Sequence, residues 1–567
     1  MGVAPSSHRR TFHCASDAVF DSDNVAPDDD SSIFNEKARF KERDDDREPY
    51  HPPTPKPPLP TYAPGHDKVP NGAASAYERF LAAFPEYRLT WILDTLRRTD
   101  YARLDTAGET YVDYMGGALY PDSLLRVHTE FLSHGVLGNT HSVSNSSKLS
   151  LKCADEARAA ILSFFNASSD EYSVIFTANA TGALKLVGEA YPFTGGGSYV
   201  LACDSHNSVH GIRQFAASRG ARVSYIPATP TGGFDASVAK NILLRNRPRA
   251  KDAAPALFAL TGQSNITNAK LPLSMLDYAK SQGYHTLLDA AALAATSSIS
   301  LDNSSVDAMA VSFYKMFGYP TGVGALVIKK AFLVKLKRPW FAGGTVDVVQ
   351  VPGTIMTRSA ILHEQFEDGT INYLNLPAIT HGLRFLSAYL PFLPLRLSCL
   401  MHYLVSALSK LRHDTTNGPV VRILSETPTR RLNRVGEQAD TGSILSLLFL
   451  SPSGEMLPLS FIESAAARAS ISLRTGCMCN PGGAAALLGL ESDMQRLYPG
   501  VTLADFTRAV GQELGVVRIS LGLASSFQDV WTVIQFAGLL ARERTRDILW
   551  EAYVETAEQD PAVGVAI

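Results

Sequence analysis

The chain has almost no excess charge: 52 Lys and Arg against 55 Asp and Glu leave a net charge of -3 over 567 residues. Such a balance creates no field that would draw the chain to a phosphate backbone or an anionic lipid surface, so neither nucleic acid nor membrane is expected as a partner. No run reaches the roughly 20 consecutive apolar residues that a membrane helix needs. No apolar stretch follows the basic pair Arg9-Arg10, which argues against a secretory leader, and the acidic residues nearby argue against a mitochondrial presequence. Cysteine is scarce. The six (Cys14, Cys153, Cys203, Cys399, Cys477, Cys479) are scattered rather than framed for disulfides, which points to a reducing, cytoplasmic setting. Only Cys477 and Cys479 lie close together, and no second CxxC or His pair accompanies them, so no metal site is expected.

What is present begins with a biased tail. Residues 1–72 carry the acidic runs Asp28-Asp29-Asp30 and Asp44-Asp45-Asp46 and then the Pro-rich stretch from His51 to Pro60. This composition cannot bury enough apolar surface to offset the entropy of ordering, so a disordered tail ending in a stiff spacer is expected. The PxxP spacing also suits an aromatic-lined groove on a partner, although a plain linker explains it more simply. Order is expected from residue 73, where Tyr77, Phe80, Leu81 and Phe84 share one helical face before Pro85. A second helix is predicted over 88–98. Residues 73–110 should pack with a smaller domain further along the chain.

From Val174 onward, apolar runs alternate with helical patterns: 174–176, 199–202, 223–226, 256–260, 285–288 and 308–313. Strands alternating with helices predict an α/β fold, a mostly parallel sheet covered on both faces, and such sheets gather ligands at the carboxyl ends of their strands. A large domain is expected over 111–383, opened by a short strand at Tyr111 that runs into a loop. A smaller α+β domain is expected over 384–556, with strands near 444–450, 471–473 and 516–520, and then a short tail at 557–567. A chain of this length is too long for one core.

The candidate chemistry falls at strand ends. Lys315 follows the apolar run 308–313 and is walled by Phe313, Tyr314, Met316 and Phe317. Desolvation lowers an amine's pKa and favours the neutral form needed for Schiff-base chemistry, which makes Lys315 a candidate for pyridoxal phosphate (PLP) attachment. A lysine snorkelling to water is the plainer reading of an isolated residue. Asp289 ends another strand, where a carboxylate can pair with a protonated pyridine nitrogen. Ala180 and Thr181 open a helix after the first strand, a ready anion site for a phosphate, although an ordinary N-cap explains Thr181 equally well. Cys479 lies on a Gly-flanked loop, read as mobile, with Arg474 near enough to favour a thiolate.

Three segments, Val311 to Ile328 (containing SFYKMFGYPTG), Phe366 to Asn372 and Arg474 to Gly482, resemble class V aminotransferases and cysteine desulfurases, and the lysine segment is similar to the molybdenum cofactor sulfurase form. The resemblance runs from about Tyr111 to about Asp529 and implies a fold-type-I PLP enzyme with a seven-stranded-type sheet. It implies that Lys315 carries the Schiff base, that His206 stacks on the pyridine ring and that Asn265 lies beside it. Ser312 would hold the phosphate, and Thr345, in the loop Ala342 to Thr345, would reach the phosphate of a neighbouring subunit, so a homodimer is expected. His141, in the loop Gly138 to Ser142, would touch substrate. Arg518 would clamp the substrate carboxylate with its planar fork. Cys479 would take sulfur from L-cysteine as a persulfide and release L-alanine, with Cys477 assisting or spare.

Several residues depart from the pattern. Ala292 stands where many relatives have glutamine toward the ring oxygen, Tyr314 where many have histidine, and Ala484 where the sulfurases often have another cysteine. Many eukaryotic members continue into a further cofactor-binding module, so the sulfur acceptor, small molecule or protein, is left open. A PLP-dependent lyase, decarboxylase or aminotransferase that does not use Cys479 is the alternative expectation.

Overall fold

Seven strands build the central sheet: β1 (Tyr172–Thr177), β2 (Ser198–Ala202), β3 (Arg222–Ile226), β4 (Ala256–Thr261), β5 (His285–Asp289), β6 (Ala308–Ser312) and β7 (Gly324–Lys329). The structure, a computed structural model, describes residues 72–248 and 254–559, so the tail expected before residue 72 and the chain beyond 559 lie outside the described residues. Their order is β1-β7-β6-β5-β4-β2-β3. Strands β2 to β6 are parallel, whereas β7 runs antiparallel to β6 and to β1. Every residue of β2, β4 and β6 is buried, as continuous apolar runs are when both faces of a parallel sheet are covered. On one face Val200, Phe258 and Met309 pack against the helices Asn145–Phe164 and Leu376–Tyr389. On the other, Leu201, Leu257 and Leu287 meet Ala183 and Val187 of the helix Ala180–Ala190. The parallel strands therefore deliver the residues that follow them to one edge of the sheet.

A second, antiparallel sheet is formed by β8 (Val421–Ile423), β9 (Ile444–Phe449), β10 (Arg474–Gly476) and β11 (Val516–Ser520), in the order β8-β9-β11-β10. Strand β8 was not expected, because three residues are too few to display a two-residue period. The amino-terminal helix Ala73–Ala83 packs here. Phe80 meets Tyr403 and Phe527 with ring centroids 5.1 Å away in each case. Arg97 reaches Asp529 at 2.7 Å, both side chains almost wholly buried. The helix predicted over 88–98 starts later: Pro85 opens a 3-10 turn to Thr90, and the α-helix runs Trp91–Asp100.

Thr110–Tyr111 pairs in parallel with Ile471–Ser472, and Asp113 bridges Ser520. The stretch read as the opening of the large domain is thus stitched to the edge of the smaller one, which carries Asp113 to Arg518. The helix Glu543–Gln559 continues through the position where the carboxyl tail was expected to begin. Among the described residues no single helix is long and apolar enough to cross a membrane.

Candidate active site

Strand β6 ends at Ser312, and the chain then makes one helical turn, Phe313–Phe317, where a loop was expected. The turn follows from its side chains. Phe313, Met316 and Phe317 are buried beneath it, which leaves Tyr314 and Lys315 on its open side. Lys315 borders a cleft with about 560 Å³ of empty space, counting its open mouth, together with Ala180, Thr181, His206, Asp289 and Ser312. The Lys315 amine makes no hydrogen bond and no ion pair with the described residues, and burial pulls its pKa below the ordinary lysine value, helped by Arg518 and Arg474 and opposed by Asp289 and Asp113. The neutral amine is thus easier to reach than in an exposed lysine.

Asp289 closes β5, is 8% exposed, and accepts a hydrogen bond from the Ala291 N–H at 3.1 Å, which leaves carboxylate oxygen capacity facing the cleft. His206 is half-buried, and burial lowers its pKa. Its Nδ1 accepts from the Ser208 N–H at 3.1 Å, so the neutral ring carries its proton on Nε2. Ser208 Oγ also lies 2.8 Å from Thr181 Oγ1, which ties the histidine to the start of the helix Ala180–Ala190. At that helix start Ser312 Oγ accepts from the Ala180 N–H at 2.8 Å, and Asn179 caps the helix by accepting from the Gly182 N–H. A half-positive helix terminus flanked by two hydroxyls is an anion site.

These residues fit PLP on chemical grounds. The cleft offers an amine of lowered pKa for an aldehyde, a carboxylate for a ring nitrogen and an anion site for a phosphate. Among the described residues no group of three His, Cys, Asp or Glu side chains is placed to hold a metal ion.

The thiol segment differs from expectation. It forms a tight turn between β10 and the helix Pro481–Leu488, where a Gly-flanked loop was expected. Asn265 donates to Met478 O at 2.7 Å, the Asn207 N–H to Cys479 O at 2.7 Å, and the wholly buried Asn480 to Asp204 at 2.7 Å while capping Gly483. Asp204, also wholly buried, accepts besides from Ser264, Thr267 and the Gly233 N–H. Gly482 is needed there, since a Cβ at this position would lie 2.1 Å from Cys203 O. Met478 and Cys479 both have left-handed backbones, φ 55° and 56°, a conformation that costs an L-residue about 1–2 kcal/mol and is held by these bonds. Cys479 is exposed, Cys477 less so.

Other assignments also shift. Asn265 lines the cleft, yet its amide is spent on the thiol turn. Arg518 is almost wholly buried and donates to Asp113 at 2.6 Å and to Asn265 O at 3.0 Å, which leaves its Nε without a partner. Thr345, expected to serve a neighbouring subunit's phosphate rather than this cleft, is wholly buried, and its hydroxyl closes its own turn with Ala342. His141 is exposed and packs on Gly344 and Gly369, outside the cleft. Asp113, Asp204 and Asn480 escaped the sequence reading because their partners lie hundreds of residues away, or, for Asp204, in loops joined only by folding.

The sheet with its lysine turn and strand-end aspartate defines the class of fold-type-I, PLP-dependent enzymes. The chain belongs to the class-V aminotransferase family, whose model matches residues 110–533. It is similar to the molybdenum cofactor sulfurase of Bos taurus, 33% identical over 468 residues, covering 78% of this chain and 51% of the relative, and to that of Solanum lycopersicum, 32% identical over 496 residues, covering 82% and 59%. The chain spans about half the length of these curated relatives. The same fold occurs in the cysteine desulfurase of Thermococcus onnurineus NA1, at TM-score 0.61 and 21% identity, covering 79% of this chain and 98% of that one. The cysteine desulfurase CsdA of Escherichia coli matches at TM-score 0.61 and 20% identity, covering 80% and 98%.

Proposed function

We propose that this chain is a PLP-dependent enzyme that takes sulfur from L-cysteine onto Cys479 as a persulfide and releases L-alanine. The observation that carries the reading is that the cleft holding Lys315 and Asp289 is walled by Asn265 and His206, whose own loops fasten the turn bearing Cys479. Relatives named molybdenum cofactor sulfurase and fold neighbours named cysteine desulfurase support it.

PLP, when bound, supplies the sink for negative charge developing on substrate carbon. Asp289 holds the ring in its protonated, electron-accepting state, and the helix start at Ala180 and Thr181 with Ser312 holds the phosphate. Lys315, its pKa lowered by burial, takes and returns protons at its Nζ. Arg518, paired at rest with Asp113, would exchange that carboxylate for the substrate's, with the exposed Arg474 beside it on β10 drawing the substrate in. The Cys479 thiolate attacks the substrate sulfur: an S–S bond forms as the carbon–sulfur bond breaks, and the carbon takes up a proton to leave as alanine. No external oxidant is required, since thiol plus cysteine balances persulfide plus alanine. The persulfide then passes to an acceptor, a small molecule or a protein, in a cytoplasmic setting that keeps the thiol reduced.

The enzyme is read as a homodimer. A hairpin of Val346–Val349 and Met356–Arg358 exposes Val348, Val351 and Ile355, and Trp340 and Phe341 are exposed just before it. Such clustering suits an interface. The deciding experiment is alanine release from L-cysteine by the Cys479→Ser variant: loss supports sulfur transfer, and full activity would move the chain to a lyase, decarboxylase or aminotransferase.

A further inference from the structure

An arginine shut off from water needs an anion beside it at all times, with substrate or without. In this chain Asp113 supplies that anion to Arg518. The two side chains meet at 2.6 Å, that of Arg518 2% exposed and that of Asp113 20%. The pair is therefore approached from the Asp113 side, and a carboxylate arriving from solvent meets Asp113 before it meets the guanidinium.

The backbone sets Asp113 in this place. Thr110–Tyr111 pairs with Ile471–Ser472, and Asp113 bridges Ser520, two residues beyond Arg518 on β11. The chain then turns at once, with the Gly116 and Gly117 N–H groups both donating to Asp113 O. Gly116 leaves the space that the carboxylate fills, since a Cβ there would lie 2.2 Å from Asp113 Oδ2. The same turn rests on the lysine turn: the Ala118 N–H donates to Tyr314 O, and a Cβ on Gly117 would lie 3.6 Å from the Tyr314 ring. Asn265, a wall residue of the cleft, takes the other arm of the Arg518 fork on its carbonyl at 3.0 Å. The Asp113–Arg518 pair thus stands beside the Lys315 turn, and both charges reach the Lys315 amine.

We propose that Asp113 is a resident competitor for the substrate carboxylate, a positioning residue that sets how tightly Arg518 takes an amino acid, an inference that rests on the reading of Arg518 above. Without substrate, the Asp113 carboxylate satisfies the guanidinium. An amino acid binds by replacing one carboxylate with another, so its affinity is the difference between two similar ion pairs. A ligand with an amine and no carboxylate cannot separate the pair and leaves Asp113 in place. Asp113 in this way favours ligands that bring a carboxylate of their own.

The test titrates the PLP-loaded full chain, wild type and Asp113→Asn, with L-alanine and with ethylamine, which has the amine and lacks the carboxylate. The readouts are the half-saturation of the change in the visible band and the melting temperature with and without L-alanine. Asn keeps the shape of the side chain and removes its charge. Asp113→Ser, smaller and also uncharged, is titrated in parallel and should shift the same way, so the result does not hang on one variant folding. Expected for Asp113→Asn is a half-saturation for L-alanine lower by about tenfold and one for ethylamine as in wild type. Its melting temperature should be lower than wild type, and L-alanine should raise it by more than it raises wild type. A half-saturation for L-alanine equal to wild type or higher, in protein that keeps the PLP band, would overturn the proposal, for Asp113 would then only aim the guanidinium. An equal gain with ethylamine would overturn it too, since exchange of carboxylates would not be the cause. Wild type that shows a PLP band and no response to L-alanine would overturn the amino-acid reading itself.

Discussion

An amine must be neutral to attack an aldehyde, and at Lys315 that state is set by burial together with two cationic neighbours. Arg474 is exposed and solvent-screened, so its contribution is modest but separable. Removing a positive neighbour favours the protonated amine, which raises the Lys315 pKa; the neutral form then appears only at higher pH. Arg474→Gln is therefore expected to move the acid limb of the PLP-loading rate to higher pH, read from a pH series of reconstitution rates. A shift to lower pH, or none, would show that Arg474 does not act on this amine. Borohydride reduction of the loaded protein should place the pyridoxyl group on Lys315, and Lys315→Ala should lose it while staying folded. Asp289→Asn should bind PLP and lose most turnover, since a neutral amide cannot hold the ring nitrogen protonated. Wild-type rates in that variant would mean that the ring nitrogen is managed by another group.

At the scale of the element, the thiol turn is the informative piece. Two consecutive left-handed residues sit between a strand and a helix, held from outside by Asn265, Asn207 and the Asp204–Asn480 pair. These bonds hold the backbone on either side of the exposed thiol in this arrangement. Asn480→Ala removes both the helix cap and the link to Asp204, a stability loss of about 1 kcal/mol or somewhat more. The functional loss should be the larger effect: alanine release from L-cysteine falls, whereas the spectral change on adding L-cysteine persists with a similar half-saturation. If turnover is unaffected while stability drops, the turn is merely structural. The Cys479→Ser variant should behave as Asn480→Ala does in binding and lose alanine release altogether, because a hydroxyl stays protonated and is a poor nucleophile toward sulfur.

Across the whole molecule, the amino-terminal helices are part of the smaller domain's core rather than an appendage. Arg97 bonds Asp105, Asp529 and Ala524 O, while Arg396 pairs with Asp94. Asp529→Asn leaves the Arg97 charge buried with less compensation, and a loss of about 3 kcal/mol is expected, measured as a lower denaturant midpoint. Cofactor content at low temperature should be unchanged. Deleting residues 1–70 should leave melting temperature and activity in vitro as they were, whereas a deletion reaching Asp100 should prevent folding. Loss of PLP binding in the shorter deletion would show that the tail contributes to the folded enzyme.

The alternation of apolar runs with helical segments is written locally, and for that reason the sheet, its strand-end lysine and aspartate, and the helix start at Ala180 were legible from the residues. Each depends on neighbours within a few positions. Local sequence marked Lys315 and Asp289 as strand-end candidates, and the family resemblance supplied their expected roles. The chain does not state locally which distant groups meet. Asp113 meets Arg518 only because the stretch from Thr110 joins the edge of the second sheet, Asn480 meets Asp204 only because two sheets close on one another, and glycines at the thiol turn read as freedom until Cys203 O is found against Gly482. The local motif likewise does not state that the Thr345 hydroxyl closes its own turn or that the His141 ring packs on Gly344 and Gly369.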